Sequence, residues 1–157
     1  MRKIALSISE IKDIEKREFL RLGDSFKLME QAGEACAKQI IKIYKKNRFI
    51  VVCGPGNNGG DGLILSSCLS EHGKEVDLYC LGKGSYKGDS LKAYKKNKLK
   101  KKPLDELNVN QDAVIVDALF GIGLNKKIEG LFKDCVDKIN NSKLKVIAVD
   151  IPSGIYG

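Results

Sequence analysis

The fold of this chain is decided by the stretch Phe49-Ile50-Val51-Val52-Cys53-Gly54-Pro55-Gly56-Asn57-Asn58-Gly59-Gly60-Asp61-Gly62-Leu63. Its first five residues form a short, wholly apolar run, typical of a strand buried in a parallel sheet. The next nine positions hold five glycines and one proline, a composition that suits neither a helix nor a strand interior. We therefore expect a loop whose N–H groups come close to a ligand. Asn57, Asn58 and Asp61 are its only side chains able to hold a specific polar ligand.

Apolar runs and helical patterns alternate along the rest of the chain. Strands are expected at 49–53, 76–81, 113–116 and 145–149. Helices are expected from the Ser7–Glu10 capping box to Leu22, from Asp24 or Ser25 through Ile43, over 63–69 with an end at Gly73, from Asp89, and over 131–139. The alternation predicts an α/β, Rossmann-like doubly wound fold, with a mostly parallel sheet and helices on both faces. With 157 residues, we expect a single domain over 1–157.

Composition restricts the function classes. Apolar residues make up 43% and charged residues 31%, as in ordinary soluble globular proteins. No apolar run reaches the roughly 18 residues that span a bilayer, and the N-terminus lacks a secretory signal, so we expect a cytoplasmic protein without a membrane partner. The five cysteines form no C-x-x-C pair and are expected to be buried thiols. The single histidine, His72, is expected at a helix end, which nearly excludes histidine triads and zinc sites.

The net charge of +8 is concentrated in one segment. Nine lysines fall within twenty residues, at Lys83, Lys87, Lys92, Lys95, Lys96, Lys98, Lys100, Lys101 and Lys102. Such a segment could bind nucleic acid. However, Tyr86 and Tyr94 are the only aromatic residues near these lysines, and the sequence contains no recognised nucleic-acid-binding module. We favour a solvated, lysine-rich helix and loop and expect no nucleic-acid partner.

Two further loops follow predicted strands. They are Asp117-Ala118-Leu119-Phe120-Gly121-Ile122-Gly123-Leu124 and Asp150-Ile151-Pro152-Ser153-Gly154. In doubly wound sheets, ligands bind outside the carboxyl ends of the strands, which places both loops beside the glycine loop. One aspartate after a strand is often only a turn or capping residue. Two of them converging on a glycine loop favour a binding site.

The glycine loop also fits two other motifs, both incompletely. Gly54, Gly56 and Gly59 satisfy the dinucleotide fingerprint G-x-G-x-x-G. However, the second strand lacks the acidic residue that would bind the ribose at its end, and Asp77 lies inside that strand. A conventional dehydrogenase is disfavoured for this reason and for the lack of a catalytic histidine. A phosphate-binding P-loop is excluded because Gly60 stands where the motif requires lysine.

Together, Gly54–Gly62, Asp117–Leu124 and Asp150–Gly154 resemble the NAD(P)H-hydrate epimerase family, also called the YjeF N-terminal domain. The segment Leu28–Gly33 resembles the family's helix before the first strand, and the resemblance runs from about Ser9 to Gly154. It implies an isomerase that interconverts the R and S epimers at C6 of hydrated NADH and NADPH. This is a metabolite repair step that feeds an ADP- or ATP-dependent dehydratase specific for the S form. The resemblance is also compatible with a homodimer.

The resemblance carries over residue by residue. It implies contacts to the hydrated dinucleotide from Asn57, Asn58, Gly59, Gly60, Asp61, Gly121, Ile122, Gly123, Leu124, Asn125, Lys126, Lys127 and Asp150. It implies a potassium site from Asn58, Asp117 and Ser153. One carboxylate with neutral amide and hydroxyl oxygens suits a monovalent cation better than calcium or magnesium. Asp150 is our choice of general acid/base. Asp61 is the other carboxylate, with the alternative role of holding the loop by accepting N–H bonds.

The sequence departs from the family in two ways. The family commonly has Gly-Thr-Gly-Leu followed by arginine, whereas this chain has Gly121-Ile122-Gly123-Leu124 with Lys126 and Lys127. Lysine supplies the charge without the planar fork of arginine. The family also continues past the third loop with further strands, which residues 1–157 do not include. A non-catalytic module that binds a nucleotide, RNA or a protein therefore stays open as the alternative function.

Overall fold

Five strands form a single parallel sheet in the order β3-β2-β1-β4-β5 in the computed structural model, which describes residues 7–124 and 126–155. The elements, in chain order, are α1 (Ile8–Leu22), α2 (Ser25–Ile43), β1 (Arg48–Cys53), α3 (Asn57–Glu71), β2 (Glu75–Cys80), α4 (Gly88–Lys96), β3 (Lys101–Pro103), β4 (Val114–Ala118), α5 (Gly130–Asn141) and β5 (Lys145–Ala148). All four strand pairs are parallel. The strand order reverses between β1 and β4, as in Rossmann-like sheets. The predicted fold class is confirmed.

Two hydrophobic layers enclose the central strand β1. Phe49, Val51 and Cys53 point into the layer that contains α2, α3 and α4. Ile50 and Val52 point into the opposite layer, which includes residues of α5. All five side chains are fully buried. The apolar run is therefore a strand covered on both faces, as its composition predicted.

The N-terminal helix pair forms as its end signals predict. Ser7 and Glu10 make the reciprocal hydrogen bonds of a capping box, and α1 ends at Gly23 in the left-handed conformation, with φ of 68°. Asp24 then caps α2 by accepting a hydrogen bond from the N–H of Phe26 at 2.9 Å. Only two residues join the helices, so local geometry largely fixes the direction of α1 relative to α2.

The buried face of α2 differs from the prediction. The spacing of Met29, Ala32, Cys36, Ile40 and Ile43 predicted one apolar face laid against the sheet. The buried residues are instead Met29, Gly33, Ala37 and Ile40. A Cβ atom on Gly33 would lie 2.7 Å from Cβ of Ile64 in α3, so α2 packs closely against that helix. Because of this contact, α2 is rotated relative to the predicted orientation.

Helix α3 begins inside the glycine-rich stretch, where the sequence predicts a loop as far as Leu63. It starts at Asn57 and includes Gly59, Gly60 and Gly62. A Cβ atom on Gly59 would lie 1.8 Å from the carbonyl oxygen of Gly54. One on Gly62 would lie 2.5 Å from Cβ of Ala118 in β4. The prediction was wrong because a glycine in a helix costs only about 1 kcal/mol relative to alanine. The close packing that these glycines allow outweighs that cost.

The lysine-rich segment contains a strand that we did not predict. Strand β3 is three residues long and pairs with β2 at the sheet edge. Its Lys102 donates a hydrogen bond to Asp77 at 2.6 Å, and Arg48 and Gln111 donate to the same buried carboxylate. Lysine and proline at a short edge strand discourage pairing with other chains. The prediction of a helix and loop is confirmed only for the part before β3.

The histidine and four of the five cysteines take the predicted places, whereas Cys36 is half-buried. All five cysteines are free thiols, and four of them are buried. His72 is exposed at the end of α3, where its ring Nδ1 lies 2.8 Å from the carbonyl oxygen of Cys68. Within 7–124 and 126–155, no helix has the length and apolar character needed to cross a membrane.

Replacing Gly59 with alanine should destabilise the fold by about 3 kcal/mol or more, because backbone surrounds the missing Cβ. Gly56→Ala is the matched control, since a Cβ atom there would meet no atom of the described residues within 4 Å. The Gly56→Ala substitution should lower the free energy of unfolding by less than about 1 kcal/mol. Urea unfolding of both variants measures the difference. Equal losses would mean that the close backbone contact at Gly59 does not constrain the fold.

Candidate ligand-binding site

A cavity of about 870 Å³ opens outside the carboxyl ends of β1, β4 and β5, where the strand order reverses. Residues of all three predicted loops line it, including Asn57, Gly121 and Asp150. Lys126 and Lys127, both exposed, also line this cavity, which we call the crevice. Asn125 lies outside the described residues. The expected convergence of the three loops is therefore found.

The glycine-rich stretch presents a helix N-terminus to the crevice. Gly56 occupies the N-cap of α3 and provides no side-chain hydrogen bond to the first turn. Asn57 and Asn58, in that turn, line the crevice. Backbone N–H groups at the start of a long helix attract anions, because they lack partners within the helix and carry partial positive charge. By contrast, Gly59 and Gly60 are buried in the packing of α3 and do not line the crevice.

Asn58 carries a buried amide without a partner. Neither its side-chain oxygen nor its side-chain nitrogen makes a hydrogen bond to any described residue, and both atoms are buried. Buried polar side-chain atoms are paired in the large majority of cases, so an exception calls for an explanation. Since Asn58 lines the crevice, a bound ligand or cation is a natural partner for this amide.

Asp117, which lies inside β4 and not after the strand as predicted, forms a compact hydrogen-bonded pair with Ser153 of the third loop. The carboxylate of Asp117 accepts bonds from the N–H and the hydroxyl of Ser153, at 2.8 and 2.6 Å. It also accepts the N–H of Leu119 at 3.1 Å, while the Ser153 hydroxyl accepts the N–H of Phe120 at 3.0 Å. The structure thus brings together two of the three residues predicted to bind potassium. No hydrogen bond joins Asn58 to either of them in the described part of the chain.

Asp150 is held at the mouth of the crevice by a backbone contact. Its carboxylate accepts the N–H of Ile122 at 2.8 Å. A Cβ atom on Gly121 would lie 2.2 Å from the same carboxylate oxygen, so a side chain there would displace the Asp150 carboxylate from this position. Asp150 is exposed, and the second loop fixes its position relative to the glycine-rich stretch.

Asp61 is one of four carboxylates that line the crevice, with Glu15, Glu129 and Asp150, and its surroundings differ from those of Asp150. Burial raises the pKa of Asp61 to about 7, with smaller contributions from the charges of Glu15 and Asp150. Its side chain accepts no hydrogen bond from a described residue, so the structure gives no support for the alternative role of bracing the loop. A carboxyl group that titrates near neutral pH in a cleft is a candidate for proton transfer.

Sequence reasoning missed the wall of the crevice opposite the loops. It consists of Ile11, Lys12 and Glu15 from α1 together with Ala32 and Cys36 from α2. Burial, and to a lesser degree the charge of Asp61, raises the pKa of the Cys36 thiol, which favours its neutral form. The only sequence signal was that Ile11 and Glu15, four residues apart, share one face of a helix. Which element that face meets depends on tertiary packing.

Asp61→Asn should stabilise the protein in a pH-dependent way. Because the folded-state pKa is raised, the folded protein binds this proton more tightly than the unfolded chain, and wild type loses stability as pH rises from about 4 to 7. The free energy of unfolding of Asp61→Asn should equal that of wild type near pH 4. Above pH 7 it should exceed the wild-type value by a constant amount, on the order of 2 kcal/mol. Chemical unfolding across pH 4–8 measures it. Asp134→Asn, at an exposed position of α5, is the control, and a gain independent of pH would contradict the assignment.

Comparisons with known proteins agree with this architecture. The model for the family "YjeF-related protein N-terminus" matches residues 25–157. A yeast protein of known crystal structure, ynu0, has the same fold, with a TM-score of 0.75 over 96% of this chain and 72% of its own, at 23% identity.

Curated relatives include the NAD(P)H-hydrate epimerase of Elusimicrobium minutum, 37% identical over 82% of this chain and 65% of the relative. That of Lentilactobacillus buchneri is 32% identical, over 98% of this chain and 74% of the relative. The bifunctional NAD(P)H-hydrate repair enzyme Nnr of Thermofilum pendens is 34% identical, over 96% of this chain and 31% of the relative. The chain thus spans between about a third and three quarters of these relatives. It belongs to the YjeF N-terminal family.

Proposed function

We propose that this protein is an NAD(P)H-hydrate epimerase that interconverts the R and S epimers of hydrated NADH and NADPH. The observation that carries the proposal is the convergence of a helix N-terminus, a second glycine loop and the carboxylates of Asp61 and Asp150 on one crevice. Several relatives at 32–39% identity are named NAD(P)H-hydrate epimerases, which supports the same activity here. A cavity of about 870 Å³ is of a size that accommodates a dinucleotide's reacting part and pyrophosphate.

The anionic part of the substrate would bind at the start of α3. The N–H groups there, near Asn57 and Asn58, suit the pyrophosphate, and Lys126 and Lys127 add positive charge on the opposite loop. Both lysines are exposed and act as point charges, so their contacts to phosphate would be less directional than those of arginine. Gly59 and Gly60, which do not line the crevice, would contribute through the packing that fixes the helix start.

A potassium ion would be held by Asn58, Asp117 and Ser153. The donor set fits, because it offers a single carboxylate with neutral oxygens, and because the buried amide oxygen of Asn58 lacks any partner in the described residues. When bound, the cation would neutralise part of the negative charge of the substrate's pyrophosphate. Asp117 and Ser153, already joined to each other, provide a preorganised side of the site.

The two carboxylates would divide the acid/base work. Inverting the configuration at a carbon that bears a hydroxyl group and a ring nitrogen requires breaking and re-forming a bond, with proton transfer to and from oxygen or nitrogen. We assign the general acid/base role to Asp150, which the N–H of Ile122 holds at the crevice. Asp61, whose pKa of about 7 keeps it partly protonated at neutral pH, would supply or receive the second proton.

The non-catalytic alternative depends on the lysine-rich segment. Three of its lysines form ion pairs within the chain: Lys92 with Asp89, Lys96 with Glu30 and Lys102 with Asp77. Charges that are paired in this way contribute less to binding nucleic acid or an acidic protein. Two relatives are named bifunctional NAD(P)H-hydrate repair enzymes, which favours coupling of this chain to an ADP- or ATP-dependent hydrate dehydratase.

Epimerase activity should appear when the R hydrate of NADH is supplied together with a dehydratase specific for the S form. Recovery of NADH, followed by absorbance, should exceed the rate with dehydratase alone. Asp150→Ala should lower this excess by about 100-fold or more, because it removes a proton-transferring group. Asp134→Ala, at an exposed position outside the crevice, should retain it. Recovery no faster than with dehydratase alone would overturn the proposed function.

Potassium should stabilise the protein more than sodium or lithium at equal ionic strength. An ion that binds only the folded state raises stability by about 2.7 kcal/mol at a hundredfold excess over its dissociation constant. Asn58→Ala should abolish the difference between the salts, whereas Asn57→Ala, at the neighbouring exposed position, should keep it. Thermal unfolding of the three proteins in each chloride salt measures this effect. Identical midpoints in all salts for wild type would argue against a potassium site.

A further inference from the structure

Two aromatic side chains lie side by side on the wall of the crevice. Phe120 belongs to the second loop and Phe132 to the first turn of α5, and both line the cavity. Their ring centroids are 4.9 Å apart at an interplanar angle of 70°, which is an edge-to-face arrangement. Rings in this arrangement attract each other beyond the burial of their apolar surface, so each restrains the other. Among the described residues that line the crevice, these two are the only aromatic ones.

The pair is anchored in the core but not covered by it. Phe132 lies on the face of α5 that carries Cys135 and Ile139, both of which are buried. Both phenylalanines pack against the hydrophobic layer that includes these two residues, yet each phenylalanine is only half-buried. Because they also line the crevice, part of the apolar surface of each ring is available to a ligand.

Backbone contacts place Phe120 next to both polar centres of the site. Its N–H donates to the hydroxyl of Ser153 at 3.0 Å, and that hydroxyl donates to Asp117 at 2.6 Å. The residue that follows is Gly121, where a Cβ atom would lie 2.2 Å from the carboxylate of Asp150. The aromatic pair therefore adjoins both the group to which we assign the acid/base role and the residues that would hold potassium.

The proposed substrate has one part that suits an apolar, aromatic wall. Its phosphates are anionic and its riboses carry hydroxyl groups. Its hydrated nicotinamide ring is uncharged and has a flat segment, in which the ring nitrogen, a carbon–carbon double bond and the carboxamide are conjugated. That ring holds the carbon whose configuration changes, so it must lie within reach of Asp150. The pyrophosphate suits the start of α3, and the adenine is joined to the ring only through it.

We propose that Phe120 and Phe132 form the subsite for the reacting ring, packing against its flat segment and directing its reacting carbon towards Asp150. The assignment rests on the proposed function and deepens it, because it specifies which part of the crevice binds which part of the substrate. It adds an apolar specificity determinant to a site whose predicted side-chain contacts are mostly polar. A dinucleotide without the ring loses this contact.

Binding of two analogues that cannot react tests the subsite without requiring turnover. Tetrahydro-NADH keeps the flat segment but has no hydroxyl group at C6, whereas ADP-ribose lacks the ring entirely. In isothermal titration calorimetry, wild type should bind tetrahydro-NADH about tenfold more tightly than ADP-ribose. Phe120→Leu and Phe132→Leu keep an apolar side chain but remove the aromatic face. Each should lower this ratio of affinities about threefold or more and leave the affinity for ADP-ribose unchanged.

Phe26→Leu is the matched control. Phe26 is also half-buried, but it lies in α2 and does not line the crevice, so its replacement should leave the ratio of affinities at the wild-type value. Equal affinities of wild type for the two analogues would overturn the subsite. So would an unchanged ratio in a folded Phe120→Leu or Phe132→Leu protein, or an equal loss in Phe26→Leu.

NMR of the wild-type complex with tetrahydro-NADH provides a test that needs no variant. In protein labelled with carbon-13 at phenylalanine, nuclear Overhauser effects should connect phenylalanine ring protons to the tetrahydropyridine ring protons of the analogue. Effects from the adenine protons in their place would assign the aromatic pair to the other end of the dinucleotide and overturn the proposal. The absence of any effect between the analogue and phenylalanine would overturn it as well.

Turnover separates this inference from the proposed function. If the protein is an epimerase, Phe132→Leu should lower kcat/KM for the R hydrate by at least the factor by which it lowers the ratio of affinities. Ring-dependent binding that both leucine variants weaken, without any turnover in wild type, would support the subsite and refute the epimerase. Turnover in wild type with an unchanged ratio in both variants would support the epimerase and overturn the subsite.

Discussion

Close contact between backbone segments at the end of β1 is the constraint on which the rest of the structure depends. A Cβ atom on Gly54 would lie 1.9 Å from the carbonyl oxygen of Leu119, and the N–H of Gly54 donates to the carbonyl oxygen of Ala118 at 3.0 Å. Gly59 in turn packs against the carbonyl oxygen of Gly54, which would lie 1.8 Å from a Cβ atom on Gly59. These contacts bring the start of α3 and the loop after β4 together where the sheet changes direction. The crevice forms at this junction because no side chain separates the two segments.

The same helix start creates competing electrostatic demands in the crevice. The N-terminus of α3 favours anions, but this effect fades beyond the first turn and contributes at most about 1 kcal/mol at a surface site. Asp61 is the fifth residue of the helix and lies past that turn. The rise of its pKa to about 7 corresponds to an upper limit on the order of 4 kcal/mol. Burial and the neighbouring carboxylates therefore outweigh the helix dipole at Asp61, while the first turn remains suited to phosphate.

Local signals in the sequence predicted those parts of the structure that local interactions determine. Strand β1, the capping box at Ser7 and the stop at Gly23 all form as expected, because each depends on a few adjacent residues. The start of α3 could not be predicted, since glycine has a low helix propensity and the decisive contacts come from Leu119 and Ala118, more than fifty residues away. The meeting of the three loops followed from the topology of a parallel sheet. The place of Glu15 in the wall of the crevice did not follow from the sequence, because it depends on how α1 packs against the rest of the fold.

The departure of the second loop from the family pattern affects the crevice less than the sequence alone indicates. The resemblance places threonine where this chain has Ile122. However, the contact that holds Asp150 is donated by the backbone N–H of Ile122, which either residue provides. Gly121 matters more, because a Cβ atom there would displace the Asp150 carboxylate from its position on the N–H of Ile122. Replacing threonine by isoleucine therefore preserves the position of Asp150, and what it changes is the side chain at residue 122, which lines the crevice and is half-buried. A larger apolar side chain at this position makes the wall of the crevice less polar. It therefore affects which ligands fit, but it does not change the position of the Asp150 carboxylate.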